Sequence, residues 1–286
     1  MRILVTGAKG QLGSEIKFLS DKYANTEFTF GSSHDLDISN QNAVEAFFSA
    51  NRFDFVINCA AYTAVDKAEI ESDKAFSVNA LAPGYLASAC TKYNTKFIHI
   101  STDFVFDGSS SIPLKEDNAT NPLSVYGKSK LEGEKSVLSN NENAIVIRTG
   151  WLYSSYGNNF AKTILRLCKE RESLNIIFDQ TGTPTYARNL ADAILEIIHR
   201  GDWKPGLYHF GNEGVASWYD FAIAIRDIAK LKTTIFPIET SQYPTPAKRP
   251  AYSVLNKTKI KHEFGISIPY WRDSLEKCMQ LIISNQ

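Results

Sequence analysis

Ile3-Leu4-Val5-Thr6-Gly7-Ala8-Lys9-Gly10-Gln11-Leu12-Gly13 carries the chain from an apolar run, through glycines spaced G-x-x-G-x-x-G, into the start of a helix. A short run of branched apolar residues before a turn reads as a strand buried on both faces. Glycines in that turn let the backbone bend tightly and approach a pyrophosphate, whose charge is then met by free N–H groups and the helix dipole. The spacing departs from the G-x-G-x-x-G fingerprint, and a lone glycine loop is often only a tight turn. Its place at the N-terminus, directly after a buried strand, is what favours dinucleotide binding.

Outward from this loop the first half alternates short β-rich runs with helical stretches. Strands are expected at Ile3–Thr6, Thr26–Phe30, Phe55–Asn58, Lys96–Ser101 and Ala144–Arg148, and helices near 12–22, 41–50, 75–93 and 125–138. Strands separated by helices imply right-handed crossovers and a parallel sheet. The fold class is therefore α/β, a doubly wound parallel sheet. Beyond residue 150 the pattern loosens, with helices expected near 160–170, 187–200, 218–229 and 271–283 joined by Pro- and Gly-rich connections. The expected division is a dinucleotide-binding domain over 1–150 and a smaller, mainly helical substrate lobe over 151–286, interleaved with late elements of the sheet.

The composition narrows the partner. With 43% apolar and 12% aromatic residues among 286, the chain can bury a large core, and Lys+Arg and Asp+Glu balance at 31 each. Nothing in that balance draws it to nucleic acid or an anionic membrane, so a small ligand is expected. The N-terminal apolar run is too short for a signal peptide, and no later run reaches the roughly 20 apolar residues of a bilayer span, which leaves the cytoplasm as the expected location. Cys59, Cys90, Cys168 and Cys278 lie far apart and form no C-x-x-C pair, so they read as buried thiols rather than a zinc site or disulfide framework. The five histidines show no ligand spacing, and His99 within an apolar strand reads as a satisfied core residue.

In a dinucleotide fold an acid near the end of the second strand would hold the 2′-hydroxyl of NAD. That region here is Gly31-Ser32-Ser33-His34, which would not repel the 2′-phosphate of NADPH, although Asp35 can contribute if the strand runs longer. NADPH is preferred over NADH on this ground. Asp37, next to Ile38, is either an acceptor for the adenine amine or a turn aspartate. In Ser124-Val125-Tyr126-Gly127-Lys128-Ser129-Lys130, the tyrosine and Lys130 are four residues apart and share a helical face. They are either an exposed pair at a helix start or a proton-transfer pair, in which the ammonium and an oxidised nicotinamide lower the phenol's pKa. Lys128 points to another face. Ser101-Thr102-Asp103 closes a buried strand at the sheet edge where α/β ligands bind, so Thr102 either bonds a substrate carbonyl or satisfies a loop backbone group.

Together, Gly7 to Gly13, Asn58-Cys59-Ala60-Ala61-Tyr62-Thr63-Ala64-Val65-Asp66, Ser101 to Gly108 (S-T-D-F-V-F-D-G) and Tyr126 to Lys130 resemble the extended short-chain dehydrogenase/reductases. The closer resemblance is to the dTDP-4-dehydrorhamnose reductase family. It continues through Arg148-Thr149-Gly150-Trp151, Gly157-Asn158-Asn159-Phe160, Gly182-Thr183-Pro184-Thr185 and Tyr243 to Pro250 (Y-P-T-P-A-K-R-P), and so covers essentially the whole chain. The resemblance implies hydride transfer to C4 of a dTDP-linked keto sugar, with Tyr126 protonating the alkoxide, Thr102 polarising the carbonyl and Lys130 orienting the nicotinamide ribose. It places Gly7, Gly10, Gln11, Leu12 and Gly13 by the pyrophosphate, Asp37 and Ile38 by the adenine, and Ala60, Ala61 and Thr63 along the ribose and phosphates. Tyr62 is placed with them against the cofactor, although it stands where the family often carries histidine. Asp103 and Trp151 are expected near the hexose, and Arg249 at the diphosphate; their alternatives are a loop cap, a core indole and a surface ion pair.

Some members of that family are dimers that hold magnesium between carboxylates. Glu15 matches one such position, but Arg188 stands where another carboxylate is expected, and a cation there opposes a divalent metal. No metal is therefore expected in the chemistry, and the chain is expected to be a monomer or a homodimer. Sugar-nucleotide dehydratases usually carry Thr-Asp-Glu where this chain has Thr102-Asp103-Phe104, and 4-epimerases usually carry a serine pair there. The remaining alternatives are another nucleotide-sugar 4-ketoreductase or epimerase, or a non-catalytic dinucleotide-binding protein such as the regulatory subunit of methionine adenosyltransferase.

Overall fold

The computed structural model describes residues 1–284. Five strands of the first half, β1 (Arg2–Thr6), β2 (Glu27–Gly31), β3 (Phe55–Asn58), β4 (Lys96–Thr102) and β5 (Ile145–Thr149), join the strand Gly206–His209 in one sheet. Its order is Gly206–His209, β5, β4, β3, β1, β2, and every neighbouring pair is parallel. From β1 the chain steps to β2 on one side and then crosses to β3 on the other. That reversal opens a crevice at the carboxyl ends of β1 and β3, where ligands of such sheets bind.

Strand alternation sorts the core into two layers. Ile3, Val5, Ile57, Ile98 and Ile145 pack against Ile16 and Ile194 on one side; Leu4, Val56, Phe97 and Val146 pack against Val44, Phe48 and Leu86 on the other. Successive side chains of a strand point to opposite faces, so one apolar run feeds both layers. Residues beyond 150 build a further core, in which Phe221, Ile225, Leu275 and Met279 pack with Tyr153 and Leu165.

Expected helices agree closely at Gln41–Ala50, Phe160–Glu170 and Ala187–Arg200. The helix expected at 75–93 starts earlier, at Ser72, and is interrupted by a π-turn at Ser77–Leu81. The cause is tertiary: the Asn79 side chain pairs with both backbone groups of Tyr62, at 2.8 and 3.0 Å, and a Cβ on Gly133 would collide with the Asn79 carbonyl. A parallel pair, Ser173–Ile177 with Thr234–Ile238, and the helix Thr258–Phe264 carry no strong sequence signal and were not expected.

The helix Val125–Asn140 is fixed to the sheet by a buried ion pair. Arg148 of β5 donates to both oxygens of Glu134 at 2.8 and 2.7 Å, and Ser101 of β4 donates to the same carboxylate at 2.5 Å. Removing one partner strands the other charge in the interior. Glu134→Ala is expected to cost about 3–5 kcal/mol in urea unfolding, whereas Lys135→Ala, one residue along and exposed, should cost less than about 0.5 kcal/mol.

Candidate active site

The glycine loop is built for a close backbone approach. Gly7 has φ +65°, and a Cβ there would lie 2.6 Å from the Ala60 nitrogen, so β1 and β3 are followed by loops in direct contact. A Cβ on Gly13 would lie 2.6 Å from the Gly7 carbonyl oxygen. The helix Gln11–Ser20 starts at Gly10 without a capping side chain, which leaves its first N–H groups for a ligand. A cavity of about 340 Å³ lies there, bounded by Gly7, Gly10, Asp37, Ile38, Ala60 and Ala61 of the expected set, and also by Thr6, Lys9, Ser32 and Ser33.

Other expected cofactor residues lie off this cavity. Leu12 is a core side chain, so only its backbone is available. The Gln11 amide lies towards Leu152 and Asn159, and Thr63 is exposed. Tyr62 donates its hydroxyl to Glu71 at 3.2 Å, with Lys74 over its ring. Asp37 accepts from the Ser39 N–H and hydroxyl at 3.0 and 2.6 Å while lining the cavity, so the turn role is made and the adenine role stays open. β2 stops at Gly31, and Asp35 is folded back onto the N–H and hydroxyl of Ser32.

The second cluster forms where β4 meets the helix Val125–Asn140. Ser124 caps the helix by accepting from the Gly127 N–H at 3.1 Å, and Glu69 accepts from the Val125 N–H at 2.9 Å. Gly127 is forced by packing, since a Cβ would collide with the Phe104 carbonyl. Thr102 accepts from the Phe104 N–H at 3.2 Å and donates to Asp103 at 3.1 Å, and its hydroxyl also faces the Tyr126 phenol. Burial, reinforced by Asp103, pushes that phenol up to about 12 against the pull of Thr102. Lys130 is not among the groups acting on the phenol, which desolvation governs; the lowering was expected from the ammonium together with an oxidised nicotinamide. Lys130 is itself buried, donates to the Ile100 carbonyl at 2.6 Å, and is pulled down to about 8 by desolvation, against Glu134 and Cys59.

Asp103 has one carboxylate oxygen without a partner, and it borders a small cavity with Ser253, Thr183 and Lys257. Burial raises its pKa to about 6, opposed by hydrogen bonds from Ser253 and Thr102. A carboxyl whose folded pKa lies above its unfolded value costs stability once both states have ionised, and that cost vanishes below the unfolded value. Asp103→Asn is therefore expected to raise Tm by several degrees at pH 8 and to give no gain near pH 4, in scanning calorimetry.

Trp151 has φ +52°, a conformation disfavoured for a bulky residue, and stacks on Trp218 with ring centroids 3.5 Å apart. Arg249 is engaged within the chain: its guanidinium donates to both oxygens of Asp66 at 3.1 and 2.7 Å, tying the Y-P-T-P-A-K-R-P loop to the segment after β3. Glu15, fully buried, pairs with Arg188 at 2.7 Å and accepts from Ser154 at 2.6 Å, so its charge is already balanced. The sequence reading did not single out Thr6, Asn79, Glu69 or Lys9 as site residues. A polar residue closing an apolar strand was the available signal for Thr6; the others are assembled by tertiary contacts alone.

The chain matches the family model described as RmlD substrate binding domain over residues 1–283. It is 43% identical to the dTDP-4-dehydrorhamnose reductase of Aggregatibacter actinomycetemcomitans, over 96% of this chain and 97% of the relative. Among solved structures it resembles a dTDP-4-dehydrorhamnose reductase from Clostridium acetobutylicum, with TM-score 0.95 and 41% identity over 99% of this chain and 100% of that one. It also resembles the dTDP-4-dehydrorhamnose reductase of Bacillus anthracis in complex with NADP, with TM-score 0.92 and 35% identity over 98% of both chains.

Proposed function

Because the chain belongs to the dTDP-4-dehydrorhamnose reductase family, we propose that it reduces the C4 keto group of dTDP-4-dehydro-6-deoxy-L-mannose to give dTDP-L-rhamnose, with NADPH as reductant. The observation that carries this reading is the meeting of Tyr126, Thr102 and Asp103 at the carboxyl edge of the sheet that also forms the glycine-loop cavity. Residues 1–150 hold the dinucleotide and the lobe beyond them receives the sugar.

The crevice fits a dinucleotide: Gly7 and Gly13 allow backbone approach that a Cβ would block, and uncapped N–H groups face the loop. When bound, the reduced nicotinamide supplies hydride to the sugar carbonyl. Thr102 turns its hydroxyl from Asp103 to donate to the carbonyl oxygen, and Tyr126, which stays protonated through neutral pH, gives its proton to that oxygen as negative charge develops. Lys130, fixed by the Ile100 carbonyl, would hold the nicotinamide ribose hydroxyls with its remaining protons. Asp103 and Trp151 border the hexose, and Arg249 meets the diphosphate by exchanging part of its bond to Asp66 for phosphate oxygens. With Glu15 neutralised by Arg188, no metal ion takes part. The enzyme works in the cytoplasm, with no nucleic acid or membrane partner. Deuteride supplied on the nicotinamide should appear at C4 of dTDP-L-rhamnose by mass spectrometry; unlabelled product, or none, refutes the assignment.

The cofactor choice follows from the end of β2. Asp35 is committed to Ser32, so Lys9, Ser32 and Ser33 are the polar groups presented where a 2′-phosphate would lie. NADPH is expected to give kcat/KM at least about tenfold above NADH. Lys9→Glu should erase that preference, and an unchanged ratio would remove this corner of the cavity from cofactor selection.

A further inference from the structure

A row of polar side chains crosses three neighbouring strands beneath Lys130. The sheet register pairs Thr6 of β1 with Asn58 of β3, and Asn58 with His99 of β4. All three are buried, on the face otherwise filled by Leu4, Val56 and Phe97. Thr6 Oγ1 donates to Asn58 Oδ1 at 2.6 Å, Asn58 Nδ2 lies 3.0 Å from His99 Nδ1, and His99 Nε2 lies 3.4 Å from Lys130 Nζ.

The direction of this chain is fixed at one end. The Ala60 backbone N–H donates to Asn58 Oδ1 at 3.2 Å and cannot reverse. Asn58 therefore turns its NH₂ towards His99, and Nδ1 must present a lone pair. A ring whose Nδ1 accepts is neutral and carries its single proton on Nε2, on the side of Lys130. Burial and the Lys130 charge likewise hold His99 well below the usual imidazole range. The ammonium thus faces an N–H where it would otherwise find an acceptor; Ile100 supplies its backbone acceptor, while Glu134 supplies long-range attraction.

We propose that His99, locked as the neutral Nε2–H tautomer by Asn58, is a positioning residue that turns the Lys130 ammonium onto the Ile100 carbonyl and lowers its proton affinity. The proposal rests on the reading of Tyr126 and Lys130 as the proton-transfer pair. Each reduction takes one proton from the phenol. When Lys130 itself loses a proton to solvent at alkaline pH, one Nζ–H bond breaks and the resulting amine accepts from His99 Nε2–H. The other charged and titratable groups that act on Lys130 are Glu134 on its own helix, itself paired with Arg148 of β5, and Cys59 after β3; Asp103 after β4 acts on Tyr126.

The first test needs no variant. Nitrogen-15 spectra of the whole protein at neutral pH should show His99 as the neutral Nε2–H form; the Nδ1–H form or an imidazolium would overturn the proposal. Asn58→Asp, nearly isosteric, should accept from Nδ1–H and flip the tautomer, whereas His99→Phe removes the N–H altogether. In both variants the Lys130 Nζ titration, followed by lysine ¹³Cε shifts with Lys130→Arg for assignment, should move up by about one pH unit. The alkaline limb of kcat for keto-sugar reduction should move with it. A Lys130 titration unmoved in both variants, with kcat lowered equally at all pH, would make His99 merely structural. If Nζ moves but no protein, wild type included, oxidises NADPH with the sugar, the positioning stands and the assigned reaction fails.

Discussion

Tyr126→Phe is expected to lower kcat for keto-sugar reduction by about 10³-fold while leaving the NADPH dissociation constant within about threefold. The phenol is a proton donor at the carboxyl edge of β4, half-buried and facing Thr102. With its pKa pushed up to about 12, it stays in the donating form across the neutral range, and a phenyl ring keeps the shape without the proton. Cofactor affinity should survive because the glycine loop and the Ala60 segment remain untouched. The helix cap from Ser124 and the edge-on contact with Phe104 do not involve the hydroxyl, so the fold should lose only about 1 kcal/mol. Stopped-flow single turnovers would separate the two effects; a variant within tenfold of wild type in the hydride step removes Tyr126 from proton transfer.

Gly7→Val is expected to abolish measurable NADPH binding, a loss of more than about 100-fold in affinity. The residue has φ +65°, which costs a side-chain-bearing residue about 1–2 kcal/mol before any collision. Its Cβ would also sit 2.6 Å from the Ala60 nitrogen and 2.7 Å from the Cys59 carbonyl carbon, both backbone atoms that cannot rotate away. The loops after β1 and β3 would have to separate, and they are the floor of the cavity. Gly201→Ala is the control: its φ is +78° but a Cβ there meets nothing within 4 Å, so only backbone strain is paid. Calorimetric titration should show normal NADPH binding for Gly201→Ala. Comparable affinity in Gly7→Val would mean that the cofactor does not lie against this loop.

What was legible in the sequence depended on local pattern. The apolar run Ile3–Val5 feeding a glycine turn gave the first strand and its loop because burial on both faces and tight turning leave short-range marks. The helices Gln41–Ala50 and Ala187–Arg200 agreed for the same reason, a helical repeat of apolar residues. The π-turn at Ser77–Leu81 left no such mark, since it is imposed by Asn79 reaching Tyr62 and by Gly133 closing against it. Short Gly206–His209 begins with a glycine at φ +138° and owes its place in the sheet to β5.

The site divides in the same way. Tyr126, Lys130 and Thr102 could be named from spacing and strand ends, but their electrostatics could not, because burial in the folded chain governs the phenol. Arg249 was legible as a cation and not as the partner of Asp66, which lies 183 residues away in sequence. The Thr6–Asn58–His99 row is hidden because each residue is a single polar interruption in an apolar strand, and only the register aligns them.

The most direct test is the loss of reduced-nicotinamide absorbance when the purified protein meets NADPH and freshly generated dTDP-4-dehydro-6-deoxy-L-mannose. The account predicts rapid oxidation, stoichiometric with dTDP-L-rhamnose and abolished in Tyr126→Phe. Tight NADPH binding with no oxidation of the cofactor by this sugar would contradict it.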